Sequence, residues 1–146
     1  KNKIGISKDD PSDEKLILEL LSWMHKNKAD YTNTFCHLMN RLKERKKVYD
    51  NDDFKNWKQK WEQRRKSDDI SLKDSFDLMY KTNPIVIPRN HLVEEAIQDA
   101  TEKNDYSKTL NLIEILKSPY NFLKINDSFQ SEPDLKNDKY VTYCGT

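Results

Sequence analysis

The chain offers two thiols, Cys36 and Cys144, and three imidazoles, His25, His37 and His91, as its candidates for chemistry. A cysteine acts as nucleophile, redox group or metal ligand through its thiolate, which a nearby base, cation or helix N-terminus must favour. A structural zinc site needs several such ligands at short, regular spacing. Here the histidines are isolated, and adjacent Cys36 and His37 point in different directions on a helix. No metal site is expected, and no Cys-His-Asp combination has its geometry fixed. Cys36 sits among apolar residues and reads as a small core hydrophobe. Cys144 lies third from the end in a polar segment. Two readings stand for it: an accidental surface cysteine, or an exposed thiol that forms a reversible disulfide with another cysteine. The expected catalytic residues number none.

The elements that position these groups must come from a polar sequence. Charged and hydrophobic residues each make up 35% of the 146, a balance suited to thin helical layers that bury one stripe per helix. With 26 basic and 25 acidic residues the formal charge is +1, so steering toward nucleic acid is not expected. Basic stretches at 41–47 and 58–66 read as wet helix faces, because Trp57 and Trp61 share a face with Phe54 and suit a core better than base stacking. Only Gly5 and Gly145 are glycines, which argues against tight hairpins and glycine-rich phosphate loops. No apolar run reaches membrane-spanning length, and no membrane partner is expected. Two cysteines suit a reducing compartment, and the start at Lys1 suggests a fragment or processed product.

The pattern predicts an all-α fold of about six helices in an irregular bundle with an extended C-terminal tail. Residues 1–9 form a flexible lead-in, 10–119 the helical domain and 120–146 the tail. Asp10-Pro11 starts a helix with Leu16, Ile17, Leu20, Leu21 and Met24 inward, ending near Asn27. Asp30 caps a second, striped by Tyr31, Phe35, Leu38 and Leu42. After a polar stretch at 49–53, a third carries Phe54, Trp57 and Trp61. Ser71 with Asp74 forms a capping box before Leu72, Phe76, Met79 and Tyr80. Two prolines make 83–88 an ordered, non-helical connector. Leu92, Val93, Ala96, Ile97 and Ala100 mark a fifth helix. Ahead of it, Asn90 is a candidate cap and Arg89 a partner for Glu94, the alternative being a ligand contact. Asp105 or Ser107 starts a sixth with Leu110, Ile113 and Leu116 inward, stopped by Ser118-Pro119. The rings of Tyr120, Phe122, Phe129, Tyr140 and Tyr143 hold the tail across a surface.

Several stretches occur in a recognisable order. They are Ala29-Asp30-Tyr31-Thr32-Asn33-Thr34-Phe35; Asn83-Pro84 with Arg89-Asn90-His91-Leu92 and Glu95-Ala96-Ile97; Asp105-Tyr106-Ser107 through Leu116 with Pro119-Tyr120; and the near-terminal Cys144. Together they resemble the C-terminal part of the selenoprotein O family over most of residues 13–146. The chain departs from the family pattern at Gly145-Thr146, where two serines are usual. It departs again at Cys36 in place of arginine and at Pro88 in place of leucine. The resemblance implies a larger kinase-like protein that transfers AMP from ATP to Ser, Thr or Tyr hydroxyls of proteins, using Mg2+ or Mn2+. Its partners would be the kinase-like domain upstream in the same polypeptide and the protein substrates. It also implies that Cys144 is a redox residue pairing with a cysteine of that domain, with Cys36 disfavoured as its partner. A bacterial member would be cytoplasmic and a eukaryotic one mitochondrial. No glycine-rich loop or acidic metal motif is present, so no catalytic or nucleotide-binding residue is carried onto this chain. The rival expectation is a freestanding helical protein-interaction domain.

Overall fold

Six α-helices and short 3-10 turns make up the regular structure of the computed structural model, which describes residues 1–44, 46–124 and 127–133; no strand occurs among them. None of its helices is long and apolar enough to cross a membrane. The chain divides into two units, Lys1–Ile85 and Val86–Thr146. Tyr140, Tyr143 and Cys144, with most of the expected tail, lie outside the described residues.

The first unit contains α1 (Asp13–Asn27), α2 (Tyr31–Leu38), α3 (Asp52–Lys66) and α4 (Leu72–Thr82). Three of these start where side chains satisfy the orphan amides of a first turn. Asp30 accepts from the Asn33 N–H at 2.7 Å. Asn51 Oδ1 accepts from the Phe54 N–H at 3.2 Å and also from the Trp23 indole at 3.2 Å. Ser71 Oγ accepts from the Asp74 N–H at 3.0 Å, the first half of the expected capping box, and its hydroxyl donates to the Asp74 carboxylate at 2.6 Å. Asp10 behaves differently from expectation. Its carboxylate accepts from the Ser12 N–H at 2.8 Å in a local turn, and α1 opens three residues later at Asp13.

The core of this unit forms where α1 meets α3. Phe54, Trp57 and Trp61 bury against Leu16, Leu20, Trp23 and Met24. Leu21 stays exposed, and the Trp23 indole takes the place assigned to it. The buried indoles keep their donors satisfied: Trp57 Nε1 donates to the Leu16 carbonyl at 2.8 Å and Trp61 Nε1 to the Ile4 carbonyl at 2.7 Å. α2 stops at Leu38, so Leu42 lies beyond it, and Tyr31 is exposed.

That last indole contact corrects the expectation of a loose lead-in. Ile4 and Ile6 are buried, and Gly5 sits between them at φ +70°. The Gly5 carbonyl accepts from Ser75 Oγ at 2.7 Å, so a Cβ there would meet Ser75 Oγ and lie 2.8 Å from the Ser75 carbonyl oxygen. Glycine meets both demands, the positive φ and the close approach. Two isoleucines in a polar leader are enough to dock it, because burying each contributes about 1.5–3 kcal/mol.

In the second unit, α5 (Asn90–Lys103) and α6 (Ser107–Leu116) pack on each other and are followed by 3-10 turns at Phe122–Lys124 and Asp127–Gln130. Val86 N–H donates to the Pro119 carbonyl at 3.3 Å, tying the connector to the stop after α6. Asn90 is not a cap. Arg89 occupies the N-cap position without a side-chain cap bond. α6 starts at Ser107, one of the two expected starts, with Tyr106 at the N-cap position and Asp105 Oδ1 accepting from the Ser107 N–H at 2.9 Å. The inward face of α6 is also not the one its spacing suggested. Leu112 and Ile115 are buried, whereas Leu110 is 65% and Ile113 49% exposed. The helix is apolar on two sides, so period alone could not choose between them.

Candidate functional site

The side chains with potential chemistry are dispersed by the fold. Cys36 is fully buried on α2, its Sγ 3.7 Å from the Ile85 carbonyl oxygen, as befits a core thiol. Cys144 lies outside the described residues. His25 is exposed, His37 stacks on Tyr49 with centroids 4.0 Å apart, and His91 Nε2 lies 3.1 Å from Ser131 Oγ. Burial, and then the positive charge of Arg89, hold the His91 imidazole below its ordinary value. Arg89 is buried and Asn90 exposed. Among the described residues no three His, Cys, Asp or Glu side chains converge as a metal site would require.

Sequence reasoning missed two adjacent arginines at the end of α3. Arg64 is held by carboxylates: Nε donates to Asp13 Oδ1 at 2.6 Å, Nη2 to Asp13 Oδ2 at 3.2 Å, and Nη1 to Asp68 Oδ1 at 3.2 Å. Hydrogen bonding to Asp13 raises its pKa further. Asp68 is itself an anchor for the N-terminal segment. It accepts from the Ser7 N–H at 2.7 Å, the Ser7 hydroxyl at 2.8 Å and the Lys8 N–H at 3.0 Å. Burial pushes this carboxyl up, but the hydrogen bonds from Ser7, Lys8 and Arg64 outweigh it and hold it at about 2.

Arg65 points the other way. The basic stretch was assigned to solvent, yet this guanidinium is buried between the rings of Trp61 and Phe76, 4.5 and 4.6 Å from their centroids. Its Nε donates to Ser75 Oγ at 2.7 Å. Burial lowers its pKa. The signal for it was spacing: residue 65 lies one turn beyond Trp61 on the face already marked by Phe54 and Trp57. Nothing in this arrangement supplies a nucleophile beside a base.

A sequence profile described as protein adenylyltransferase SelO matches residues 1–117. The chain belongs to the SelO family. A relative from Clostridium perfringens (strain 13 / Type A), named protein nucleotidyltransferase YdiU, is 42% identical over 146 residues, 100% of this chain and 30% of that one. One of the same name from Pelagibacter ubique (strain HTCC1062) is 44% identical over 146 residues, again 30% of its length. A third, from Bacillus cereus (strain AH187), is 38% identical over the same span. This SelO-family chain therefore spans about 30% of the length of the curated relatives it matches.

Proposed function

We propose that these residues are the helical C-terminal region of a protein adenylyltransferase, which transfers AMP from ATP to Ser, Thr or Tyr hydroxyls of other proteins. The region buttresses a kinase-like catalytic domain carried by the rest of the polypeptide. The observation that carries this reading is the end-to-end similarity, 42% identity over 146 residues, to a protein named as a nucleotidyltransferase and more than three times as long. Transfer of a nucleotidyl group needs cationic groups and metal ions around the phosphates and a base for the acceptor hydroxyl. The reading assigns those groups, with ATP and Mg2+ or Mn2+, to the remaining length. The exposed Leu110 and Ile113 on α6 support a buttressing role, since side chains of that size on one face suit burial against another domain.

Cys144 then serves as a redox latch, forming a disulfide with a cysteine of the kinase-like domain. Closure removes two electrons and two protons from the thiol pair, which a small-molecule disulfide takes up through a mixed-disulfide intermediate. The experiment is incubation of the full-length protein with radiolabelled ATP and either metal, with and without reductant. Transfer of AMP to protein hydroxyls, with a redox dependence lost in Cys144→Ser, is expected. No transfer under either metal overturns the catalytic reading, and an unchanged redox response in Cys144→Ser overturns the latch.

A further inference from the structure

Arg64 and Arg65 differ in one respect that bears on partners. The first is matched by two carboxylates. The second is only 7% exposed, has rings on both sides and one hydroxyl on Nε, and its Nη2 is buried without a hydrogen-bond acceptor among the described residues. No described carboxylate lies within ion-pair distance of it. Stacking on Trp61 and Phe76 offsets part of the cost of burying the charge. It does not supply the acceptor that a guanidinium fork requires.

The same guanidinium lines a groove of about 500 Å3 within the first unit. Lys58 and Lys66 line it too, and Glu62 is the one described acid there, 4.0 Å from Lys58. The lining thus carries three cations against one anion. Leu72, 67% exposed, adds apolar surface to it.

We propose that this groove receives an Asp or Glu side chain, next to an apolar residue, from the part of the polypeptide outside residues 1–146. The charge of the lining calls for an anion. The planar fork of Arg65 matches a carboxylate, and Leu72 calls for an apolar neighbour beside it. The relatives, of which this chain spans 30%, provide the length from which such a segment comes. The proposal rests on these residues belonging to a longer protein of the family, but not on its catalysing AMP transfer.

The test uses the full-length protein, without nucleotide, treated with a carbodiimide that joins amines to carboxylates at ion-pair distance and then mapped by mass spectrometry. Lys58 or Lys66 is expected to join an Asp or Glu outside residues 1–146. The yield should fall several-fold in Arg65→Met. Should that variant misfold, Leu72→Asp is a surface change that sets a like charge against the incoming acid and should lower the yield similarly. Cross-links to Glu62 alone, no cross-links, or yields unaffected by both variants overturn the proposal. So does a product of mixed isotope content from labelled and unlabelled protein, because the acid then comes from a second copy. Cross-linking without AMP transfer would leave the groove assigned and remove the catalytic reading; the reverse result would do the opposite.

Discussion

Replacing Asp68 with Asn should unpin the N-terminal segment. The carboxylate holds three donors of Ser7 and Lys8 and one of Arg64. Asparagine is nearly the same size but turns one acceptor into a donor, so donors face donors on one side of the group. Its charge is lost as well. The gap between 3.8 and about 2 corresponds to about 2.4 kcal/mol if fully expressed. Ser7 and Lys8 are exposed and admit water, so about 1–2 kcal/mol is the expected share. Mismatched donors add about 1–2 kcal/mol, for a total of about 2–4 kcal/mol. Circular dichroism melts should show Tm lower by about 10 °C, and amides of residues 4–8 should exchange faster. The effect has a pH signature. Because the folded value lies below the ordinary 3.8, the charge contribution is complete above about pH 4 and disappears as pH falls toward 2. The difference between native and variant should therefore shrink over that window. A Tm shift under about 1 °C, or a difference that stays constant down to pH 2.5, would refute the anchoring role.

Gly5→Ala combines a positive φ with a close approach to Ser75 and should cost about 2–4 kcal/mol in denaturant unfolding, more than Asn2→Ala at an exposed site nearby. Asn51→Ala removes a helix cap and the acceptor of the Trp23 indole together, so it should cost about 1–3 kcal/mol, against about 1 kcal/mol for Ser71→Ala; equal losses would show that the indole bond contributes nothing. Cys36 should resist thiol reagents in the native protein and react only on unfolding; rapid labelling of Cys36, read by peptide mapping, would contradict its burial.

Local chemistry was legible where one residue decided the outcome. The caps at Asp30 and Ser71 depend on a side chain reaching its own first turn, and both form. Phe54, Trp57 and Trp61 share a face whose opposite side is charged, so α3 could bury only one way. Choices made by tertiary partners were less legible. Asp10 could cap a helix or close a turn on Ser12; the turn forms, and Asp13, where α1 opens, pairs with Arg64 from α3, a partner that local spacing does not reveal. α6 offers two apolar faces, and packing against α5 selects Leu112 and Ile115. Arg65 reads as solvent-facing by type, but by position it meets Trp61 one turn back on α3 and Phe76 on α4, and these two rings outweigh its charge. Of the site, Cys36 was read correctly as core, while Cys144 lies outside the described residues.

All three tryptophans of the chain, Trp23, Trp57 and Trp61, belong to the Lys1–Ile85 unit, and each indole is buried and hydrogen-bonded. Within these 146 residues, indole emission is thus an optical label confined to the first unit, and its red shift on exposure to water times the loss of that core alone. The α5–α6 unit has tyrosine but no tryptophan and unfolds unseen at that wavelength. Comparing emission with far-ultraviolet ellipticity, which sees both units, would separate their melting without altering a residue.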